Sequence, residues 1–290
     1  PQSLAYAAVY GGANPAPQTI AISNLSETAI DVSNSVAYIA GASGWLTLSP
    51  VTGAVLQAGS LTVTGLVDIA GLNAGTHVAN IAVSSTNSIN SPRVCVATLA
   101  IAKASQAITF GNPGPQLTTN LVGLVMTSDS GLAVTGSVIS GNATIYGGTN
   151  LVFTGAGIVT IQASQTGNVN YAAAPPVTQT FEVARAPALV NLSGLSQTYN
   201  GTARPVTTST VPAGLPLTMT YSGKAWAPTN AGSYAVTGVV DHAMYQGTSV
   251  VTLTIAKADQ AITSFTPEDG SGFVTTGAVV LAAQASSGLA

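Results

Sequence analysis

Charge is what this sequence has least of. Lys and Arg together number 6 and Asp and Glu 9, making 5% of the 290 residues, against about 25% in an average soluble protein. A net charge of −3 spread so thinly supplies neither a basic stripe for nucleic acid nor an acidic block for cations, so no nucleic-acid partner is expected. The single cysteine, Cys95, excludes an intramolecular disulfide. Its setting in Val94-Cys95-Val96 reads as a strand, which points to a structural thiol. No apolar run approaches the roughly 18 residues needed to span a bilayer. The mean hydropathy is nonetheless positive, because Ala and Val are dispersed throughout, and no membrane insertion is expected in this segment. No charged stretch followed by an apolar one opens the sequence, so an export signal is expected outside it.

With charge so scarce, the surface must be made polar by uncharged groups. Ser, Thr, Asn, Gln and Gly supply them, alternating with Val, Ile, Leu and Ala in the period-2 pattern of half-buried strands. Leu61-Thr62-Val63-Thr64 and Val250-Val251-Thr252-Leu253-Thr254-Ile255 show it. Gly, Pro, Asn and β-branched residues interrupt every window before about ten residues of helical patterning accumulate. The expectation is an all-β protein with almost no helix.

Internal repeats organise the chain. Ile101-Ala102-Lys103-Ala104-Ser105-Gln106-Ala107-Ile108-Thr109 returns as Ile255-Ala256-Lys257-Ala258-Asp259-Gln260-Ala261-Ile262-Thr263, with a weaker copy at Val183-Ala184-Arg185-Ala186. The apolar-Ala-basic-Ala pattern sets module ends at Lys103, Arg185 and Lys257. A second landmark keeps step: Ala74-Gly75, Ala156-Gly157 and Ala231-Gly232 precede those ends by 28, 28 and 25 residues. Each Ala-Gly opens an alternating segment (Thr76 to Val83, Ile158 to Ala163, Ser233 to Val239), followed by a polar loop and a last strand. That is a terminal hairpin, entered through a glycine able to take a positive φ. Tyr171 and Tyr245 hold matching places in two of these hairpins and read as packing anchors.

The resulting organisation is a tandem, elongated array of immunoglobulin-like β-sandwich modules over residues 1–103, 104–185 and 186–257, with 258–290 an incomplete further repeat. Ser130-Gly131-Leu132-Ala133 recurs as Ser287-Gly288-Leu289-Ala290, which places the cut about a third of the way into a fourth module and implies a longer parent. Residues 258–290 are expected to pack poorly or pair irregularly. The short junctions favour a rod over a flexible string.

Residues 1–103 resemble the BACON family of bacterial immunoglobulin-like modules. The likeness rests on Ile22-Ser23-Asn24, Trp45-Leu46-Thr47-Leu48-Ser49-Pro50 with Thr52-Gly53, Leu72-Asn73-Ala74-Gly75-Thr76, and Ile81-Ala82-Val83-Ser84-Ser85 with Asn90-Ser91-Pro92. The resemblance implies a seven-stranded sandwich in an extracellular bacterial setting and, from the family name, sugar binding. Residues 104–257 are similar to the mostly-β glycine-rich (MBG) repeats of large bacterial surface proteins. Here the matching blocks are Gln106-Ala107-Ile108-Thr109-Phe110, Ala163 to Asn168 with Tyr171, Leu195-Ser196-Gln197-Thr198-Tyr199-Asn200-Gly201 and Pro228-Thr229-Asn230-Ala231-Gly232-Ser233-Tyr234. That resemblance implies spacing, adhesion or matrix roles.

Chemistry is sparse. The two histidines, His77 and His242, would have to anchor any His-based triad, and no Gly-x-Ser-x-Gly motif occurs. His242 beside Asp241 is explained by a polar turn. No enzyme, cofactor or metal site is expected, since Asp68, Asp129 and Asp241 stand singly. Calcium between modules is disfavoured by Lys103, Arg185 and Lys257, although Asp259, Glu268 and Asp269 lie near the last junction. The three basic residues read as solvated or locally paired. Asn24, Asn142, Asn191 and Asn200 fit the N-glycosylation pattern and read as turns.

Carbohydrate modules stack sugar faces on exposed aromatic rings, and the candidates for such contact are Trp45 and Trp226. Alternation in Trp45-Leu46-Thr47-Leu48 puts Trp45 opposite the leucines and so partly exposed, although a packing role is the commoner use of such a ring. Trp226 lies in the loop-like Lys224-Ala225-Trp226-Ala227-Pro228. The sequence thus points to a non-catalytic structural or adhesive spacer of a large secreted or surface-anchored bacterial protein, monomeric unless its cut end pairs. Glycans or other surface proteins are its expected partners. The alternative is a carbohydrate-binding array centred on residues 1–103.

Overall fold

The computed structural model describes residues 3–267 and 281–286. Among the described residues every regular element is a strand. The chain divides into two compact units, one of Pro1–Gly114, Val122–Leu151 and Ile158–Phe181, the other of Pro115–Leu121, Val152–Gly157 and Glu182–Ala290. The stretches 1–103, 104–185 and 186–257 are termed the first, second and third module.

In the first unit, residues 1–103 form two facing sheets. One has the order Leu4–Val9, Arg93–Ala102, Gly75–Ser84, Ile30–Ala40, Thr52–Val55, and the other Gln18–Ser23, Ser60–Val67, Leu46–Ser49. That is eight strands where the family resemblance implied seven. Alternation decides the inward faces: Val63 and Val67 on one strand, Ala79 and Ile81 on another, and Cys95, Ala97, Leu99 and Ile101 on the last turn inward, with Trp45 and Tyr6 among the same core. The first strand runs parallel to the last, with Leu4 opposite Ala97 and Val9 opposite Ala102.

The second module contributes Thr135–Ser140 antiparallel to Gly157–Ser164, and Ile108–Phe110 antiparallel to Met126–Ser128. A three-stranded sheet has the order Val122–Gly123, Asn150–Phe153, Ala143–Tyr146. Its last strand, Val177–Ala184, is flanked in parallel by Gln116–Leu117, with Gln116 opposite Val183.

In the second unit, the third module has a four-stranded sheet ordered Ser196–Thr198, Thr248–Ala256, Gly232–Val240, Leu217–Tyr221, and a two-stranded sheet of Leu189–Ser193 with Thr207–Val211. Val206, Tyr221, Val236, Leu253 and Ile255 form its core. The Tyr221 hydroxyl accepts the Val206 N–H at 3.2 Å, so the buried phenol is satisfied inside that core.

One scheme recurs in all three stretches. A short opening strand lies parallel to the last strand, and the last two strands are neighbours in one sheet, antiparallel in the first and third stretches, the earlier of the two starting at the glycine of an Ala-Gly pair. Gly75, Gly157 and Gly232 carry φ of 147°, 134° and 157°, conformations that side chains with a Cβ rarely adopt. The hairpins read from the sequence are therefore present, with the glycine doing what was expected of it. Beyond the third module, Ile262–Pro267 pairs antiparallel with Leu281–Ala285, with a register shift between Ile262 and Ser264. The remainder of 258–290, including Glu268 and Asp269, lies outside the described residues.

Candidate functional site

Trp45 is enclosed, at 1% exposure, between Tyr6 and Tyr38, whose rings approach it edge-on at 6.5 and 6.1 Å. The partial exposure expected from alternation is corrected here. Trp45 sits one residue before the strand Leu46–Ser49, so the two-residue period does not govern its direction, and both Trp45 and Leu46 turn inward. A ring so enclosed offers no face to a sugar. Trp226 is 67% exposed and carries the Lys224 ammonium 5.7 Å from its ring centre.

The histidines serve the backbone. His77 is buried, its Nδ1 accepting the Ala42 N–H at 2.9 Å and its Nε2 lying 3.1 Å from the Asn73 carbonyl oxygen. His242 Nδ1 accepts the Met244 N–H at 3.1 Å, closing its own loop. Among the described residues no three His, Cys, Asp or Glu side chains gather as a metal site would need, and no helix is long and apolar enough to cross a membrane. Asn24 of the first glycosylation-like pattern is buried, its Nδ2 donating to the carbonyls of Thr28, Val55 and Leu56. Cys95 is buried, and desolvation pushes its thiol pKa up, which suppresses the thiolate.

A network of polar contacts among the described residues lies where one module meets the next. In the first unit the loop Asn168–Tyr171 of the second module docks on the first. Ala104 N–H donates to the Asn170 carbonyl and Ala172 N–H to the Ala104 carbonyl, both at 2.9 Å, a short parallel bridge that brings Tyr171 alongside Ala104. The Asn170 side chain is used at both ends: Oδ1 accepts the Ala74 N–H at 2.9 Å, and Nδ2 donates to Asn73 Oδ1 at 3.0 Å. Lys103 Nζ donates to the Asn168 carbonyl at 2.7 Å. The ring of Tyr171 stands edge-on to that of Tyr10.

The loop is prearranged for this. Asn168 Oδ1 accepts the N–H groups of Asn170 and Tyr171 at 2.8 and 2.9 Å, an Asx turn that fixes the loop's curl. Gly167 has φ +77°, and a Cβ there would sit 2.4 Å from the Tyr171 carbonyl oxygen. Beneath it, buried Gln106 donates through Nε2 to Gln165 Oε1 and the Ala172 carbonyl and accepts from the hydroxyls of Ser128 and Ser130.

In the second unit the third module docks in the same way. Ala186 and Pro187 pair in parallel with Tyr245 and Gln246, and Ala186 N–H donates to the Met244 carbonyl at 2.9 Å. Thr118 Oγ1 also donates to that carbonyl, while Ala156 N–H reaches the Ala243 carbonyl at 3.4 Å. The landmarks read from sequence as module markers, Ala-Gly and apolar-Ala-basic-Ala, therefore converge on one surface. Tyr171, read from sequence as a packing anchor, packs on Tyr10 of the preceding module, while Tyr245 pairs with Ala186 at the start of its own module and sets its ring beside His242. Sequence reading missed Tyr10 and Asn73, whose only signal was the recurrence of Tyr and of Asn-Ala-Gly at equivalent places in the third module.

Residues 188–259 match the MBG domain family. This stretch nearly coincides with the 186–257 repeat and holds the MBG blocks around Tyr199 and Asn230. No curated protein matches the chain. Similar solved structures include mouse cadherin-23 repeats EC22–24, 12% identical, covering 89% of this chain and 96% of that one with a TM-score of 0.28. The CsuC–CsuE chaperone and tip adhesion subunit complex of Acinetobacter baumannii is 10% identical, with coverage of 89% and 97% and a TM-score of 0.30. Sidekick-1 immunoglobulin domains 1–5 are 11% identical, with coverage of 88% and 58% and a TM-score of 0.32. Superpositions this loose carry nothing about function.

Proposed function

We propose that this chain is a non-catalytic structural and adhesive spacer within a large secreted or surface-anchored bacterial protein, made of a BACON-like module followed by MBG repeats. The observation that carries the reading is the repeated junction. The contacts of Asn170 with Asn73 and Ala74, of Lys103 with Asn168 and of Tyr10 with Tyr171, and at the next joint those of Thr118 with Met244 and Ala156 with Ala243, tie each module to the next, with almost no free linker between them. Such joints resist bending, which is what a spacer requires and a flexible tether avoids. The uncharged Ser, Thr and Asn surface suits an exported protein that must stay soluble without strong salt-dependent attraction. Small-angle X-ray scattering of the chain at several concentrations tests the reading. A spacer gives a particle much longer than it is wide, unchanged on dilution, whereas a compact profile sinks the proposal.

Glycan contact is the second reading, and it rests on Trp226. The ring is exposed, but Lys224 stands over it, so a sugar would have to displace the ammonium or use the opposite face. Binding on a glycan array that disappears in Trp226→Ala would establish this reading, and an array without signal removes it.

A further inference from the structure

The first junction has five contributing residues on its acceptor side: Tyr10, Asn73, Ala74 and Lys103 of the first module and Ala104, the residue that follows it. The same five residue types recur at the equivalent places in the third module and just after it, as Tyr199, Asn230, Ala231, Lys257 and Ala258. The equivalence is structural as well. Tyr10 N–H donates to the Ala102 carbonyl and Tyr199 N–H to the Ala256 carbonyl, each at 2.9 Å, placing both tyrosines at the end of a short strand parallel to the module's last one. Asn73-Ala74-Gly75 and Asn230-Ala231-Gly232 both open the terminal hairpin. The second module differs, with Thr118, Gly155-Ala156 and Arg185-Ala186, and it receives a different loop.

In the first module this acceptor is filled, and Tyr10 is half-buried under Tyr171. In the third, Tyr199 is 41% exposed. It borders an open cavity of about 440 Å³ whose walls also include Asn230, Ala231, Lys257 and Ala258. Ala258 is exposed where Ala104 is half-buried. The chain leaving this acceptor also repeats the chain leaving the first. Ala107 and Asp129 exchange a backbone bond and an N–H to Oδ1 bond, at 3.2 and 2.9 Å. Ala261 and Ser286 do the same with the serine hydroxyl, at 2.8 and 2.9 Å.

We infer that the cavity beside Tyr199 is a docking socket for the Asn-x-Asn-Tyr hairpin loop of a repeat of the 104–185 type, joined to the socket through residues 258–286. The loop seats as Asn168–Tyr171 seats on the first module. Ala258 N–H donates to the carbonyl of the loop's second asparagine, and Ala231 N–H to that asparagine's Oδ1. Asn230 Oδ1 accepts from its Nδ2, Lys257 Nζ donates to the first asparagine's carbonyl, and the tyrosine ring meets Tyr199 edge-on. A loop of the Asp241–Tyr245 kind does not fit equally, because it has alanine and methionine where the paired side-chain amide is required. The inference shares with the spacer proposal only the tandem repeats, and it stands or falls on a local contact, whatever the scattering shows.

The test extends the full chain after Ala290 with a second copy of residues 134–185, in the register set by the matching Ser-Gly-Leu-Ala blocks, and follows amide hydrogen exchange. The Ala104 amide serves as the internal standard for a filled socket. The expected result is that the Ala258 amide exchanges about tenfold or more slowly in the extended chain than in the original. The slowing should vanish when the copied counterparts of Asn170 and Tyr171 become alanine. An added copy that is folded by its own exchange protection, yet leaves Ala258 unchanged, overturns the inference. So does concentration-dependent protection of Ala258 in the original chain, which would make a second molecule the donor. If the added copy does not fold, a cyclised peptide of the sequence Gln165–Ala174 is titrated into the ¹⁵N-labelled chain. Amide shifts at Ala231, Lys257 and Ala258, with none at Ala74 and Ala104, support the socket, and silence at millimolar peptide overturns it.

Discussion

The rings of Tyr10 and Tyr171 meet edge to face, with centroids 5.5 Å apart and planes at 74°. They join the opening strand of one module to the hairpin loop of the next. Pairs of this geometry contribute about 0.5–1.5 kcal/mol beyond the area they bury. Tyr171→Ala is therefore expected to lower stability by about 1–2 kcal/mol and to speed exchange at the Ala104 amide, while Tyr171→Phe, which keeps the ring, changes little. Exchange at Ala104 unaltered by Tyr171→Ala would show that the backbone bridge holds without the ring.

Trp45 is the largest side chain in the core of residues 1–103, and removing it should leave a cavity between Tyr6 and Tyr38. Trp45→Ala is expected to cost about 3–5 kcal/mol, read as a fall in the denaturation midpoint of that part of the chain. Its indole Nε1 is buried and makes no hydrogen bond within the protein, so part of the ring's burial is offset by an unsatisfied donor. Trp45→Phe should accordingly cost much less than the lost area alone implies. A phenylalanine variant as damaged as the alanine one would mean that shape, and not the polar penalty, decides this site.

Much of the fold could be read along single strands, because alternation is a local signal. In Thr248–Ala256 the inward residues Leu253 and Ile255 are buried and the alternating Thr252 and Thr254 exposed, as the pattern requires. The Ala-Gly pairs were legible for the same reason: a backbone conformation restricts the residue that adopts it. For Trp45 the packing role that is the commoner use of such a ring is the one found, and the partial exposure drawn from alternation fails because the two-residue period begins only at Leu46. The junction stayed hidden for a different reason. Tyr10 and Tyr171 are brought together by two separate strand pairings, and neither residue's own neighbours in sequence announce the other. Recurrence at matching places was the available clue, and it becomes informative only once one filled junction shows what such residues hold.

Gln106, itself buried, links four part-buried groups: the Gln165 side-chain oxygen, the Ala172 carbonyl and two serine hydroxyls. Gln106→Ala is expected to destabilise the second module by about 2–3 kcal/mol, through the four hydrogen bonds lost from this network. Because the Gln165 amide and the Ala172 carbonyl border the Asn168–Tyr171 loop, the variant should also loosen docking on the first module. Faster exchange at both Ala104 and Ala172 would report it. A variant that loses stability while those two amides stay protected would separate the buried network from the junction.

Cys95 gives the molecule an alkaline limit. Burial disfavours the thiolate and raises the thiol's pKa, and burial also raises the pKa of Tyr6, whose hydroxyl donates to the Gly65 carbonyl at 3.0 Å. Each group ionises more easily in the unfolded chain than in the fold, so the folded state holds the extra proton. The stability this confers is complete below the unfolded pKa and is lost as pH rises through the folded one. The thiol's share should begin to fade above about pH 8.5, and the phenol's above about pH 10. Urea midpoints are thus expected to be level near neutrality and to fall through this alkaline range. Cys95→Ala should remove the earlier part of the fall and leave the later one, and Tyr6→Phe the reverse. In the native protein at neutral pH, alkylation of Cys95 should proceed only as fast as the surrounding sheets open, so that added urea accelerates it. Rapid labelling in the absence of denaturant would show that solvent reaches the thiol, and with it the alkaline argument would fail.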